Sequence, residues 1–577
     1  MNQPRPIVLQ DAFKQFRHDQ EKIQAPETTV AQFKEKLAAS GLNLLEDIVR
    51  VDNGRLDIPV YFSICGSDAR NAIGNYKQMG KGATPAQARA SAVMELGERF
   101  SLYSFRADDT RFIDAPFNAL ESPTLPLEAI ARSVNDASDD LAVALEVFKQ
   151  LPLRWTWAFN LTRGESMLVP FNWFWAINEF NGASAGNCIE EALCQGICEV
   201  VERHVSALAG RPDAPLPAID PASVNDPVAR ELLDKYRNAG VQVHLSDLSM
   251  EVGIPTVGAL AWDPATFPDK SEVVWTAGTT TNPAKALCRT LTEVAQLAGD
   301  FNSGGNYVAS GLPKFNHPEQ ARHVTHPQSR VPLDALPDVG DDNIKTEVLR
   351  CVAALARRRM EVLVVDVRHP RLDIPAFYTM VPGTRFRERA AGSSVGMVCA
   401  KLIAEQMPVS LAIAQLADLE RRMPGKHYTP FYLGKLYLDQ GAHPDALNHL
   451  HRAAEREQPA EDRASVFTYL GIAYKEMGQY GEALAALSQA DAIDPERTDT
   501  LNLMGFCHFK KGAHEMAIAC FERVVKLNPG SAIDYANLAV NHRAIGNIEQ
   551  AKTYYRLALS LDPEIDFARQ HLEQLES

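Results

Sequence analysis

The last quarter of the chain carries one small-residue pattern at a fixed spacing. Gly471, Gly505 and Ala539 recur every 34 positions, as do Gly478, Gly512 and Gly546, then Ala483, Ala517 and Ala551, then Pro495, Pro529 and Pro563. Four markers in one phase restrict this region to an array of helix pairs in which each unit packs on its neighbours. Within a unit, small residues let two helices approach closely, the glycine between them allows a left-handed turn, and the proline after the second ends it. An earlier copy starts at Tyr428 with Gly434, Gly441 and Ala446; its offset of 37 adds three residues near 457–461.

At 577 residues the chain exceeds one ordinary core, so further domains are expected upstream. There the pattern is mixed. Apolar runs at 58–64, 256–262, 273–276 and 362–367 predict strands, and helical spacing predicts helices at 86–104, 188–208, 227–239, 284–299 and 343–360. This predicts an α+β domain. Residues 302–342, rich in Gly, Pro, His and Asn, predict an excursion over the surface, and 401–427 a helical connector. The formal charge of -15 argues against a general binder of phosphate backbones, so no direct nucleic-acid contact is expected. Nine cysteines without zinc-type pairs read as reduced, buried thiols. No apolar signal core follows Met1–Pro6 and no run long enough for a membrane span occurs, so a cytoplasmic location is expected.

Two stretches about a hundred residues apart read E-x-x-E-R, namely Glu95 to Arg99 and Glu199 to Arg203. Helical spacings of three and four place Ser91, Glu95 and Glu98 on one stripe and Glu191, Gln195, Glu199 and Glu202 on another. Four carboxylates brought together repel one another unless a cation lies between them, and an all-oxygen set suits magnesium holding nucleotide phosphates. Gly80-Lys81-Gly82 precedes the first stripe and Asn181 to Asn187, which includes Ser184, precedes the second. Small residues ahead of a helix leave N–H groups free for an anion. Downstream, Arg289 and Glu293 stand one turn apart, and the guanidinium forks of Arg203 and Arg289 match phosphate oxygens.

In this order and spacing, G-K-G, S-x-x-x-E-x-x-E-R, S-A-G-N, E-x-x-x-Q-x-x-x-E-x-x-E-R and R-x-x-x-E resemble the YcaO family over residues 20–400, with Val381-Pro382-Gly383 similar to its late strand-end motif. The 34-residue period resembles the tetratricopeptide repeat. Together they imply an α+β YcaO-like ATP-binding domain followed by an all-α tetratricopeptide solenoid. The implied divisions are an N-terminal helical segment at 1–50 contributing to the ATP site, an ATP/magnesium domain at 51–400, the connector at 401–427 and about four repeats at 428–577.

The resemblance implies an ATP- and magnesium-dependent enzyme that phosphorylates a peptide amide oxygen, with azolines, thioamides or amidines as products. It implies Glu95 and Glu199 as ligands of one magnesium and Glu98 and Glu202 of the other. Ser91, Ser184, Asn187, Glu191, Gln195, Arg203, Arg289 and Glu293 are implied as nucleotide or phosphate contacts, with Arg203, Arg289 and Glu293 carrying the chemistry. Lys22 and Thr29, ahead of Phe33, match the family member that has C-terminal repeats, and Lys81, between two glycines, suits either a further phosphate contact or a residue that only flanks the turn. The proline-rich tail of azoline-forming members is replaced by Glu573–Ser577, which turns the expectation toward thioamidation or an accessory role in ribosomal-protein methylthiolation. Implied partners are a peptide or protein substrate and, through the repeats, a TfuA-like protein or a methylthiotransferase. The resemblance also admits a homodimer. The alternative is a non-catalytic ATP-binding scaffold whose repeats recruit a partner.

Plainer readings apply elsewhere. A ferritin-like di-iron bundle needs E-x-x-H on two helices, whereas position 202 is Glu. His317, His323 and His326 lack a helical face and read as surface histidines. Trp155, Trp157, Trp173 and Trp175 alternate as in strands with one buried face and read as core. Cys194 and Cys198 fall between the acidic positions and read as packing residues.

Overall fold

The computed structural model describes residues 6–18, 21–211, 216–309, 311–386 and 393–576. Met1–Arg5 and Ser577, both used in reading the termini, lie outside these. The chain divides into two compact units, residues 1–395 and 396–577. Among the described residues no helix is long and apolar enough to cross a membrane.

The first unit is α+β and contains three sheets besides a short ribbon that pairs Phe16–Arg17 with Glu21–Lys22. An antiparallel sheet of three runs Leu45–Arg50, Val60–Cys65, Lys77–Lys81. A sheet of six runs Ile113–Ala115, Leu153–Asn160, Leu363–Asp366, Ala376–Met380, Ala183–Ala185, with Glu165–Pro170 also paired to Leu153–Asn160. A sheet of five runs Val274–Thr279, Thr256–Trp262, Gln242–Asp247, Ala218–Ile219, Arg330–Val331, its last pair parallel.

Three helices link these sheets. Pro85–Ala107 starts where Thr84 accepts a hydrogen bond from the Gln87 N–H and Pro85 fits the first turn; it packs on the three-stranded sheet. Ile189–Ala209 contacts both larger sheets, and its sequence is buried almost all round rather than along one stripe. Pro283–Ala298, capped by Asn282, packs on Thr256–Trp262 and Val274–Thr279.

The helix Ile189–Ala209 approaches its sheet at Gly196. A Cβ there would fall 2.5 Å from Thr379 Oγ1 and 2.6 Å from Ser184 Oγ, two buried hydroxyls that have no hydrogen-bond partner among the described residues. Gly196→Ala is therefore expected to cost about 1–3 kcal/mol by overpacking. Thermal denaturation followed by circular dichroism checks this, and an unchanged midpoint would show that the helix has room to spare.

Two expectations are corrected. Trp155 and Trp157 lie on the strand Leu153–Asn160, but Trp173 and Trp175 lie on the helix Phe171–Asn178. A two-residue spacing read across one W-x-W cannot separate a strand from a wholly apolar helix turn. Trp155 and Trp173 are nevertheless fully buried. The described residues of segment 302–342 are mostly irregular apart from short helical turns and the strand Arg330–Val331, yet they bury Tyr307, Leu312, Phe315, Val324 and Leu333 in two core clusters, so the segment is part of the core as well as the surface. His323 belongs to that packing, half-buried with its ring 5.6 Å from Trp275 and 5.9 Å from Phe315.

In the second unit, helices Val395–Gln406 and Val409–Arg422 precede the pairs Tyr428–Asp439 with His443–Ala454, Ala460–Glu476 with Tyr480–Ile493, Thr498–Lys510 with His514–Leu527, and Ala532–Ala544 with Ile548–Leu561. Gly441, Gly478, Gly512 and Gly546 turn between partners at φ of 71 to 82°. Asp566–Glu576 closes the array.

Candidate active site

The two acidic helices and Pro283–Ala298 converge on a cavity of about 250 Å³. It is lined by Lys22, Thr29, Lys81, Ser91, Glu95, Glu98, Asn187, Glu191, Gln195, Glu199, Glu202, Arg203, Arg289 and Glu293. Every residue expected at the site is among them except Ser184. That residue is fully buried in the sheet, paired with Phe377, with its hydroxyl beneath Gly196 rather than at the cavity. Strand alternation turns it inward, which a loop reading of S-A-G-N could not foresee.

Each carboxylate faces a guanidinium. Glu95 accepts from Arg99 at 3.2 Å, Glu98 lies 3.6 Å from Arg99 Nε, Glu199 lies 4.0 Å from Arg203, and Glu202 accepts from Arg289 Nε at 2.9 Å. Glu202 also accepts from the Thr279 N–H at 2.9 Å. Lys81 pairs with Glu293. Burial pushes Glu98 well above the usual glutamate range, with Arg99 opposing and Glu95 and Glu199 adding to the rise. Burial likewise raises Glu199 despite Arg203 and Arg99. Glu202 is also buried, but Arg289, Arg203 and the Arg289 hydrogen bond together bring it below the usual range. Burial and then Arg289 hold Lys81 well below an ordinary lysine.

Glu191 has a different task. Its two oxygens accept from the Ile23 N–H at 2.7 Å and from the Asn187 N–H and side chain at 3.0 and 2.8 Å. Asn187 in turn accepts from Thr29 at 3.0 Å and from Gln24 at 2.9 Å. Glu191 thus ties the N-terminal segment carrying Lys22 and Gln24 to the loop ahead of the second helix.

Sequence reading missed Phe16, Gln24, Gln87, Arg99 and Gln296, all of which line the cavity. Arg99 had a signal, being the R of the first E-x-x-E-R; it stacks 4.2 Å from the Phe180 ring, and its Nη1 is buried without a hydrogen-bond partner among the described residues. Cys198 is buried and Cys194 half-buried, and both thiols are held well above an ordinary cysteine, Cys194 first through its contact with Cys198 and then through burial.

The donor set is oxygen only, as a hard divalent cation requires, and its acids exceed what a dry pocket tolerates without cations. Among the described residues no three acidic, histidine or cysteine side chains converge at coordinating distance, because the arginines take up the carboxylates. The residues fit magnesium in chemistry and number, and holding it requires the carboxylates to turn from arginine to metal.

Residues 79–385 match the family model described as YcaO cyclodehydratase, ATP- and Mg2+-binding, and residues 474–541 and 535–565 match tetratricopeptide models. An uncharacterized protein of Methanothermobacter thermautotrophicus is 30% identical over 380 residues, 62% of this chain and 93% of its own length. A protein from the tfuA 3' region of Rhizobium leguminosarum bv. trifolii is 24% identical over 386 residues, 62% of this chain and 87% of that protein. The Escherichia coli ribosomal protein S12 methylthiotransferase accessory factor YcaO is 27% identical over 297 residues, about half of either chain at 48% and 49%. The structure of YcaO from Methanopyrus kandleri bound with AMPPCP and Mg2+ matches with a TM-score of 0.50 at 22% identity, covering 65% of this chain and 94% of that one, which shows a shared fold.

Proposed function

This chain belongs to the YcaO family, whose description names ATP and Mg2+ binding, and on that premise we propose that it activates a peptide backbone amide with ATP. The amide oxygen attacks the γ-phosphorus and ADP leaves. A nucleophile then adds at the amide carbon, and inorganic phosphate departs with the former amide oxygen. The observation that carries this reading is a single cavity gathering six glutamates and three arginines from helices far apart in sequence. Buried acids with shifted titration, lining a cavity together with arginines, mark a functional site rather than a scaffold.

In this proposal Glu95 and Glu199 would hold one magnesium and Glu98 and Glu202 the other. Magnesium, when bound, neutralises phosphate charge. Lys22, Thr29, Ser91, Asn187 and Gln195 contact the nucleotide, Glu191 positions Asn187, and Lys81 keeps Glu293 in place. Arg203 and Arg289, which lie against Glu199 and Glu202, would meet the phosphoryl oxygens as charge develops. Burial of the cavity strengthens these interactions and limits loss of the activated amide to water.

We favour sulfur as the incoming atom, in thioamidation or as an accessory to ribosomal-protein methylthiolation, because relatives carry a tfuA-region and a methylthiotransferase-accessory description. The repeats are assigned the recruitment of substrate or of a sulfur-donating partner. The test is mass spectrometry of backbone oxygen-to-sulfur exchange and of ribosomal-protein methylthiolation in a strain lacking the gene, complemented by the full chain or by residues 1–395. The full chain is expected to restore one of the two modifications, and the shorter form to bind Mg·ATP without restoring it. Both modifications intact in the deletion strain would sink the proposal.

A further inference from the structure

The N-terminal segment forms a strap along the nucleotide cavity. The Gln10 N–H donates to Glu190 at 2.6 Å, Ala12 is tied to Asn343 and Ile344, and the Lys14 N–H donates to the Asp342 carbonyl at 2.9 Å. The ribbon of Phe16–Arg17 with Glu21–Lys22 follows, and Phe16, Lys22 and Gln24 line the cavity. A ribbon of two-residue strands is too short to hold its own shape, so its anchors decide where these three residues stand.

One anchor is unlike the rest. The Lys14 side chain is only 3% exposed, and its ammonium donates to Glu21 across the ribbon and, at 2.6 Å, to Glu347 in the first turn of the helix Ile344–Arg357. Burial would drive the proton off Lys14, yet the hydrogen bonds to Glu21 and Glu347 outweigh it and hold the group above an ordinary lysine, so the charge is kept. Glu347 also accepts from the Thr281 hydroxyl at 2.6 Å and the Asp341 N–H at 3.1 Å. Thr281 follows the strand Val274–Thr279, whose last residue donates its N–H to Glu202 at 2.9 Å. Lys14 thus joins the strap that carries Lys22 to the segment that orients Glu202. A second cavity of about 70 Å³ lies at this junction, lined by Glu21, Thr281 and Glu347 and by Lys22, Gln195 and Arg289, which it shares with the nucleotide cavity.

We propose that Lys14 is a positioning residue for nucleotide binding, a latch that acts through Glu21 and Glu347 to hold Phe16, Lys22 and Gln24 against the bound nucleotide. Lys14 does not line the nucleotide cavity, so its effect passes through those neighbours. A buried ammonium between two carboxylates is costly to break, because removing it strands both acids away from water. The latch therefore slows departure of a nucleotide that the strap touches. The inference rests on the nucleotide site but not on amide activation.

The experiment compares the full-length parent with Lys14→Met, which keeps the length of the side chain and removes its charge, and with Glu21→Ala, which cuts the latch at a residue 22% exposed and so disturbs the fold less. Mg·ATP affinity is read by calorimetry, release of a fluorescent ATP analogue by stopped flow, and local order by hydrogen exchange with mass spectrometry. Lys14→Met is expected to bind about tenfold more weakly, chiefly through faster release, and Glu21→Ala several-fold more weakly. Amides of residues 10–24 are expected to exchange faster in both variants, while the helices Pro85–Ala107 and Ile189–Ala209 keep their protection. Lys14→Arg, which retains charge and reach, is expected to recover most of the affinity. Parental affinity and release in Glu21→Ala and in folded Lys14→Met would overturn the latch, as would protection lost equally throughout residues 1–395 in both variants. A parent that does not bind Mg·ATP would remove the nucleotide site itself, so the two failures are distinct.

Discussion

Glu199→Gln is expected to weaken magnesium-dependent ATP binding by on the order of a hundredfold or more, about 2.7 kcal/mol, while leaving the unliganded protein at least as stable as the parent. The two effects have opposite sign because the same carboxylate is a liability without metal and a ligand with it. Burial raises Glu199 above an ordinary glutamate, and the Arg203 contact at 4.0 Å does not offset it. A carboxyl whose folded value is raised costs stability above that value, and the cost fades as the pH falls toward the ordinary 4.5. The parent should therefore gain relative stability as the pH is lowered toward that range, and Glu199→Gln should flatten the gain. Glu202→Ala should also abolish binding but destabilise the protein, since it strands the buried Arg289 and the Thr279 N–H. Calorimetric titration with Mg·ATP and thermal melts across pH read both. Unchanged nucleotide affinity in a folded Glu199→Gln protein would remove the metal assignment.

Arg289→Lys is expected to bind Mg·ATP within about tenfold of the parent and to lose on the order of a hundredfold or more in phosphate release with substrate and partner present. Lysine keeps the charge but not the planar fork, which here bonds Glu202 through Nε and carries two further nitrogens that match phosphoryl oxygens. Since the fork gains most as charge develops, the loss should fall on turnover rather than on affinity. Full turnover in this variant would favour the scaffold reading, in which the repeats do the work and the nucleotide site is structural.

The periodicities in the sequence determined a great deal. A 34-residue phase with glycines at the turns leaves little alternative to stacked helix pairs, and the structure places Gly478, Gly512 and Gly546 in left-handed turns. Helical spacing likewise predicted the two acidic helices within a few residues and put Glu95, Glu98, Glu199 and Glu202 on cavity-facing stripes. These signals are local, so spacing alone carries them.

Tertiary structure decided what depends on approach from elsewhere in the chain. Ser184 is turned under Gly196 by its pairing with Phe377, a residue nearly two hundred positions away. Arg99 reads as a helix-surface partner in sequence, yet it lies among Glu95, Glu98 and Glu199 because the second acidic helix packs opposite. Trp173 took a helical course within an apolar run that suits either period, and segment 302–342 entered the core because Trp275 and its neighbours needed covering. A side chain's spacing along its own element is written in the sequence, whereas which charges and surfaces meet it is set only when distant elements pack together.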